Sequence, residues 1–225
     1  MNKDKRSISL IGEEKFAKLT SKKILVIGIG GVGGMVLEAL VRSGFRYLFA
    51  IDRDVVDESN INRQILFTSK DIGDKKTEIA KKRINEIDDD IEFKGYFCDI
   101  KDSMQIIRDI KPDFVVDAID DIDAKVMLIS FLLENSLPFI SSMGMGNRLN
   151  PSKVNVTTLD KTHDDPLAKK LRGLMNKTNF SLKMIPVVFS TEIPVRRSLP
   201  PASMMMVPSS AGIAIVYHII SSFLN

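Results

Sequence analysis

Near its start the chain runs Ile24-Leu-Val-Ile-Gly-Ile-Gly-Gly-Val-Gly-Gly34, and this stretch limits the fold more than any other. A short β-branched apolar run leads directly into Gly28-x-Gly30-x-x-Gly33, with Gly31 as a further small residue inside the turn. An amphipathic segment, 32–43, then stops at Gly44. The pattern predicts strand, tight turn, helix. Glycines in such a turn let backbone N–H groups approach a phosphate at the positive end of a helix dipole. A second apolar run, 47–51, ends at Asp52, which is where a ribose hydroxyl needs an acceptor. The chain is therefore expected to bind a nucleotide, and at this point ATP and a nicotinamide dinucleotide are both open.

Apolar runs and helical patterns alternate through residue 143. Strands are expected at 23–29, 47–52, 92–97, 114–117 and 138–143. Helices are expected at 32–43, 75–88, 103–110 and 122–135. The alternation implies an α/β, Rossmann-like, doubly wound and mostly parallel sheet. Past Gly146 the pattern changes. Residues 153–159 alternate as a strand does, 166–177 reads as a basic helix, and 184–189 and 204–207 read as strands, a C-terminal antiparallel extension. We read 1–225 as one domain: an N-terminal arm (1–22), a nucleotide-binding core (23–146) and a substrate or dimer extension (147–225).

The polar segment after the second strand separates the candidate nucleotides. It contains Asp52, Asp54, Asn60, Arg63 and Gln64, and a dehydrogenase has no need of it. Arg63 offers a guanidinium fork suited to paired phosphate oxygens. Lys76 lies four residues before Ala80 on the face that Ala80 and Ile84 bury, so it points to the sheet edge, whereas Lys75 faces solvent. Asp120 and Asp121 follow the fourth strand, at the carboxyl edge where open sheets bind ligands. Asp120 suits Mg²⁺ beside phosphates, and either aspartate also suits a helix N-cap.

These residues resemble the superfamily of carboxylate-adenylating enzymes that includes ThiF, MoeB and the ubiquitin-activating enzymes. The resemblance is carried by Gly28-Ile-Gly-Gly-Val-Gly33, Asp52-Arg-Asp54, Ser59-Asn60-Ile-Asn62-Arg63-Gln64, Gly73-Asp-Lys-Lys76 and Asp117-Ala-Ile-Asp120. It implies ATP with Mg²⁺, and a homodimer in which an N-terminal arginine reaches the partner's phosphates; Arg6 matches that position. Four further blocks are similar to the branch that dehydrates threonylcarbamoyladenosine in tRNA. They are Asn150-Pro151-Ser-Lys-Val-Asn-Val-Thr157-Thr-Leu159, Lys161-Thr162-His-Asp-Asp165-Pro166-Leu167-Ala168-Lys169, Phe189-Ser190-Thr191-Glu192, and Val207-Pro208 with Ala211-Gly212. One departure is Gly34, where that branch usually has serine.

The resemblance implies catalytic roles for Arg63, Lys76, Asp120 and Arg6. It implies nucleotide contacts from Gly28, Gly30, Gly31, Gly33, Asp52, Asp54, Asn60, Arg63, Gln64 and Lys76, with Asp120 as the metal ligand. The substrate it implies is tRNA carrying threonylcarbamoyladenosine, and a sulfur-relay protein is a further partner to consider.

Composition limits the rivals. Cys98 is the one cysteine, which excludes an intrachain disulfide framework and any multi-thiolate zinc site and fits a reducing cytoplasm. No cysteine lies in 145–225, so a thioester step is disfavoured. The alternative of adenylating a sulfur-carrier protein at its C-terminus is disfavoured because the bacterial enzymes that do so commonly carry paired CxxC zinc motifs, which this sequence lacks. A nicotinamide reductase would need a proton donor near the ring, and His163 and His218 both fall in the second half. A nucleotide sensor without catalysis is the plainest alternative.

Residues 1–144 hold 22 Lys and Arg against 25 Asp and Glu; residues 145–225 hold 10 against 4. The basic C-terminal part, which includes Lys161, Lys169, Lys170, Arg172, Lys177, Arg196 and Arg197, is expected to face an acidic partner such as nucleic acid. Residues 1–6 are charged with no apolar run after them, so no secretory signal is expected. The apolar stretch 204–224 is broken by Pro208, Gly212, His218 and several serines, which favours a buried final helix over membrane contact.

Overall fold

In β1 (Lys23–Ile27), Ile24 and Val26 face one side of the sheet while Leu25 and Ile27 face the other, and all four are buried. Burial on both faces is what a continuous apolar run in a parallel sheet requires. The computed structural model describes residues 3–196, 198 and 200–224. Its seven strands form one sheet in the order β3-β2-β1-β4-β5-β7-β6. The others are β2 (Tyr47–Asp52), β3 (Glu92–Phe97), β4 (Phe114–Asp117), β5 (Phe139–Ser142), β6 (Val154–Thr158) and β7 (Pro186–Ser190). All neighbours pair in parallel except β6, which runs antiparallel to β7 at the edge.

Helices cover both faces. On one side lie α3 (Gly31–Arg42), α4 (Lys76–Ile87) and α8 (Met206–Leu224), whose Leu37, Leu40, Ile84, Ile215 and Ile219 share a core with Ile24 and Val26. On the other lie α5 (Met104–Ile110), α6 (Ile122–Glu134) and α7 (Pro166–Met175), with Ile107, Leu128, Leu132, Leu171 and Met175 around Leu25 and Ile27.

Two readings of the sequence change. The strand expected at 204–207 is instead the approach to and start of α8. Pro208 sits in the first turn of that helix, where a missing N–H costs nothing. Helix α8 is long and apolar enough to cross a bilayer by length and composition. One side of it packs on α3 so closely that a Cβ on Gly212 would stand 2.8 Å from the Met35 side chain. The N-terminal arm is also more structured than expected: it forms α1 (Lys5–Ile11) and α2 (Glu13–Thr20). Phe16 and Leu19 of α2 are buried, and Phe16 presses on Gly44. All seven residues of α1 are at least partly exposed.

Candidate active site

The carboxyl ends of β1, β4 and β5 open into a cavity of about 1280 Å³, beyond the ~300–1,000 Å³ of a usual small-ligand site. One half of it is built on the glycine turn. Gly28 has φ 89°, and a Cβ there would lie 2.7 Å from the Ala118 carbonyl oxygen. A Cβ on Gly33 would lie 1.9 Å from the Gly28 carbonyl oxygen, so the turn closes only with glycine at both positions. Gly30 is different: a Cβ there would meet nothing within 4 Å, and the residue lines the cavity. The space over Gly30 is open and sits at the start of α3, which has no side-chain cap. Its first-turn N–H groups lack intrahelical partners and present a partial positive charge. An anionic phosphate fits that space.

Asp52 ends β2 and is buried. Its carboxylate accepts hydrogen bonds from Ile29 N–H in the glycine turn and from Asp54 N–H, which ties the two loops together. Burial pushes its pKa up, with Lys76 pulling the other way. Each carboxylate oxygen keeps lone-pair capacity for a hydroxyl donor.

The segment after β2 is folded back on itself. Val56 N–H bonds Asp74 O at 2.8 Å, Lys76 N–H bonds Asp54 O at 3.2 Å, and Val55 bridges Lys75. Inside the excursion, Asp57 and Asn60 cap one short turn reciprocally. This geometry swings Arg63 over the start of α3, where its Cγ would lie 3.6 Å from a Cβ on Gly31. The Arg63 guanidinium donates to Ser59 O at 2.5 Å and Asn62 Oδ1 at 3.1 Å. Gln64 is buried, lines the cavity, and has an Oε1 with no hydrogen-bond partner among the described residues. Lys76 is buried at the base of α4 and pairs with Asp54 Oδ2 at 2.9 Å, while Lys75 lies half in solvent over the Phe97 ring.

The two aspartates after β4 divide the roles open to them. Asp121 caps α6, accepting from Asp123 N–H and Ala124 N–H at 3.0 Å each. Asp120 is exposed, lines the cavity, and has no hydrogen-bond or ion-pair partner among the described residues. A free carboxylate on this cavity wall has the hard-oxygen chemistry that Mg²⁺ prefers.

Gly28, Gly30, Gly31, Asp52, Asp54, Asn60, Arg63, Gln64, Lys76 and Asp120 therefore line a single cavity, with Gly33 immediately beneath the turn. Arg6 is exposed on α1 and does not line it. Cys98 does line it, half-buried, with its thiol pKa raised by burial and then by Asp102 and Asp99; that disfavours a thiolate nucleophile.

Sequence reasoning passed over two buried arrangements. Asp117, Lys125 and Ser141 form a network behind the 118–121 loop. The other half of the cavity is organised by Arg148 and Asp165, both buried, with Lys169, Arg172 and Arg196 on the same walls. Arg148 donates to the carbonyl oxygens of Gly144, Asp164 and Glu192, joining three loops. Arg197 lies outside the described residues.

The ThiF family model matches residues 3–222. The tRNA threonylcarbamoyladenosine dehydratase of Bacillus subtilis (strain 168) is 32% identical over 236 residues, 96% of this chain and 92% of that protein. The protein of the same name from Escherichia coli (strain K12) is 34% identical over 191 residues, 81% of this chain and 71% of that one. The crystal structure of the E. coli tRNA N6-threonylcarbamoyladenosine dehydratase in complex with ATP superposes with a TM-score of 0.92 at 31% identity, covering 99% of this chain and 93% of that one.

Proposed function

Since the chain belongs to the ThiF family, we propose that its cavity joins an ATP half to a tRNA half and there activates the carboxylate of N6-threonylcarbamoyladenosine. The activity is ATP-dependent dehydration of that nucleoside in tRNA. One observation supports the two-part reading above the others: the glycine turn and the basic walls carrying Lys169, Arg172 and Arg196 belong to one continuous cavity.

The roles follow from position. Backbone N–H groups at the start of α3 receive phosphate oxygens, and Asp52 accepts from the ribose. Arg63 and Lys76 neutralise charge on the triphosphate, with Lys76 exchanging its Asp54 contact for a phosphate oxygen. Asp54, Asn60 and Gln64 complete the nucleotide wall. Asp120 would hold Mg²⁺, which when bound lowers the charge repulsion between phosphates and an incoming carboxylate. The substrate carboxylate attacks the α-phosphate, pyrophosphate leaves, and a group within the same side chain closes a five-membered ring on the acyl carbon and expels AMP. No enzyme nucleophile is required, in keeping with a second half that lacks cysteine. Positioning and charge neutralisation are the protein's contribution. Residues 147–225 supply the tRNA side. The enzyme works in the cytoplasm as a homodimer, with Arg6 of each protomer serving the other's phosphates.

Pyrophosphate release tests the reading. It is expected from ATP with tRNA carrying threonylcarbamoyladenosine, and not with the unmodified tRNA. Release with a sulfur-carrier protein instead would favour carrier adenylation, and equal thermal stabilisation by NAD and ATP would remove the nucleotide assignment.

A further inference from the structure

The geometry points to Asp165 as the proton acceptor for ring closure, a role resting on the carboxylate-activation reading above. Asp165 begins α7 and is only 3% exposed. Its Oδ1 accepts the Ala168 N–H at 3.0 Å and so caps the helix. Its Oδ2 is buried with no hydrogen-bond partner among the described residues. Capping alone explains the first oxygen and not the second, because a buried acceptor left unpaired is costly and rare.

The surroundings keep that oxygen open. Arg148 Nη2 forms a buried ion pair with it at 3.7 Å, beyond hydrogen-bond range, while the same guanidinium donates to three backbone carbonyls. Gly144, at the end of β5, covers the carboxylate with no side chain; a Cβ there would stand 3.1 Å from Oδ1 and 3.4 Å from Oδ2. Asp165, Gly144, Gly30 and Asp120 all line the same cavity, so the carboxylate shares one space with the phosphate site. Burial raises its pKa, which makes it a stronger base than a free aspartate; the Ala168 N–H, then Arg148, then the Leu167 and Gly144 N–H groups oppose this only in part. Other charged groups lining this cavity include Asp164 on the preceding loop, Lys169 and Arg172 on α7, and Arg196 from the loop after β7.

Ring closure needs such a group. In the acyl adenylate the threonyl carboxyl carbon is bonded to an AMP phosphate oxygen. Closure forms a bond from that carbon to an oxygen or nitrogen of the ureido group. The carbon–oxygen bond to AMP breaks and AMP leaves with the electron pair. Whichever atom attacks, one ureido N–H proton must go. It passes to Asp165 Oδ2 and on to water as product leaves. No other reactant is consumed.

The test uses Asp165→Asn, which keeps a capping oxygen, and Asp165→Ser, another good cap, neither of them basic. With ATP and the modified tRNA in single turnover, both variants are expected to form cyclised product about 10²–10⁴-fold more slowly. The adenylate should accumulate and be trapped by hydroxylamine. The wild-type rate should rise with pH as Asp165 ionises, and that rise should vanish in the variants. Wild-type closure rates with an unchanged pH profile would overturn the assignment. Equal loss of adenylate formation and closure in both variants would also overturn it, making Asp165 a cap or a binding group. Failure of the function reading looks different: the wild-type protein itself would make no adenylate on this tRNA.

Discussion

Lys125 Nζ lies 2.8 Å from the Asp117 carboxylate, and neither side chain reaches solvent. Ser141 Oγ donates to the same carboxylate at 2.6 Å, and the other oxygen accepts Ile119 N–H at 3.1 Å. The pair thus binds β4, β5, α6 and the cavity wall at 118–121 into one unit. A buried ion pair is no guarantee of net stability, but removing one partner leaves a charge buried alone.

Lys125→Met keeps most of the volume and strands Asp117. The expected cost is about 3–5 kcal/mol, a fall in melting temperature of roughly 6–20 °C for a domain of this size. ATP affinity should fall as well, because Asp117 positions Ile119 on the cavity wall. A melting curve unchanged within about 2 °C would mean that the pair contributes no net stability.

Gly30 and Gly33 should respond differently to alanine. At Gly33 the new Cβ meets the Gly28 carbonyl at 1.9 Å, so Gly33→Ala should open the turn, lowering stability and abolishing ATP binding together. At Gly30, with φ −87°, the new Cβ meets nothing, so Gly30→Ala should melt as the wild type does. It should still weaken ATP binding by at least tenfold, about 1.4 kcal/mol, because the methyl group enters the phosphate space. Normal affinity in Gly30→Ala would move the phosphates elsewhere.

The features legible in the sequence share one property: they are local. Strands 47–52, 92–97 and 114–117 are found with the expected bounds because each is a short apolar or alternating run between clear breakers. The glycine turn and Asp52 were visible because their spacing is set by one β-α-β unit. The apolar run 204–207 misled because methionine and valine suit a strand as well as a buried helix, and only packing on α3 decides between them. Lys125 with Asp117, and Arg148 with Asp165, join residues on different elements, and a lysine or arginine destined for burial looks like any other until the chain has folded. The one local hint was a lysine within the apolar stretch 122–134.

Asp120 and Asp121 are neighbours with separable roles. Asp121→Ala removes the cap of α6 and should cost about 1 kcal/mol of stability, roughly 2–4 °C, with turnover nearly unchanged. Asp120→Asn should leave melting unchanged and cut turnover about 10²-fold, equivalent to about 2.7 kcal/mol. Raising Mg²⁺ should recover part of the loss if the carboxylate is a ligand. Wild-type turnover in Asp120→Asn at low Mg²⁺ would remove the metal assignment.

The basic walls predict a salt signature. Each side chain that pairs with a tRNA phosphate should steepen the slope of log affinity against log salt by about 0.7–0.9. Lys169→Ala combined with Arg196→Ala should therefore weaken tRNA binding and flatten the slope by roughly 1.4–1.8, with ATP binding unaffected. Adding Arg197→Ala extends the series. Unaltered tRNA affinity at two salt concentrations would return these residues to ordinary solvated surface.

Arg6 belongs to a helix that buries little of itself, and it lies outside its own chain's cavity. Arg63 lies inside. If Arg6 completes the partner's site, Arg6→Ala and Arg63→Ala are lesions in different chains of the same site. Each protein alone should be strongly impaired. After subunit exchange, half of the dimers are mixed, and each mixed dimer holds one site with both lesions and one site with neither. Activity should then return to about a quarter of the wild-type value, because one site in four is intact. That fraction follows from random exchange, so it can be checked by mixing the two proteins at several ratios. No recovery despite demonstrated exchange would place Arg6 in its own subunit's site or outside any site.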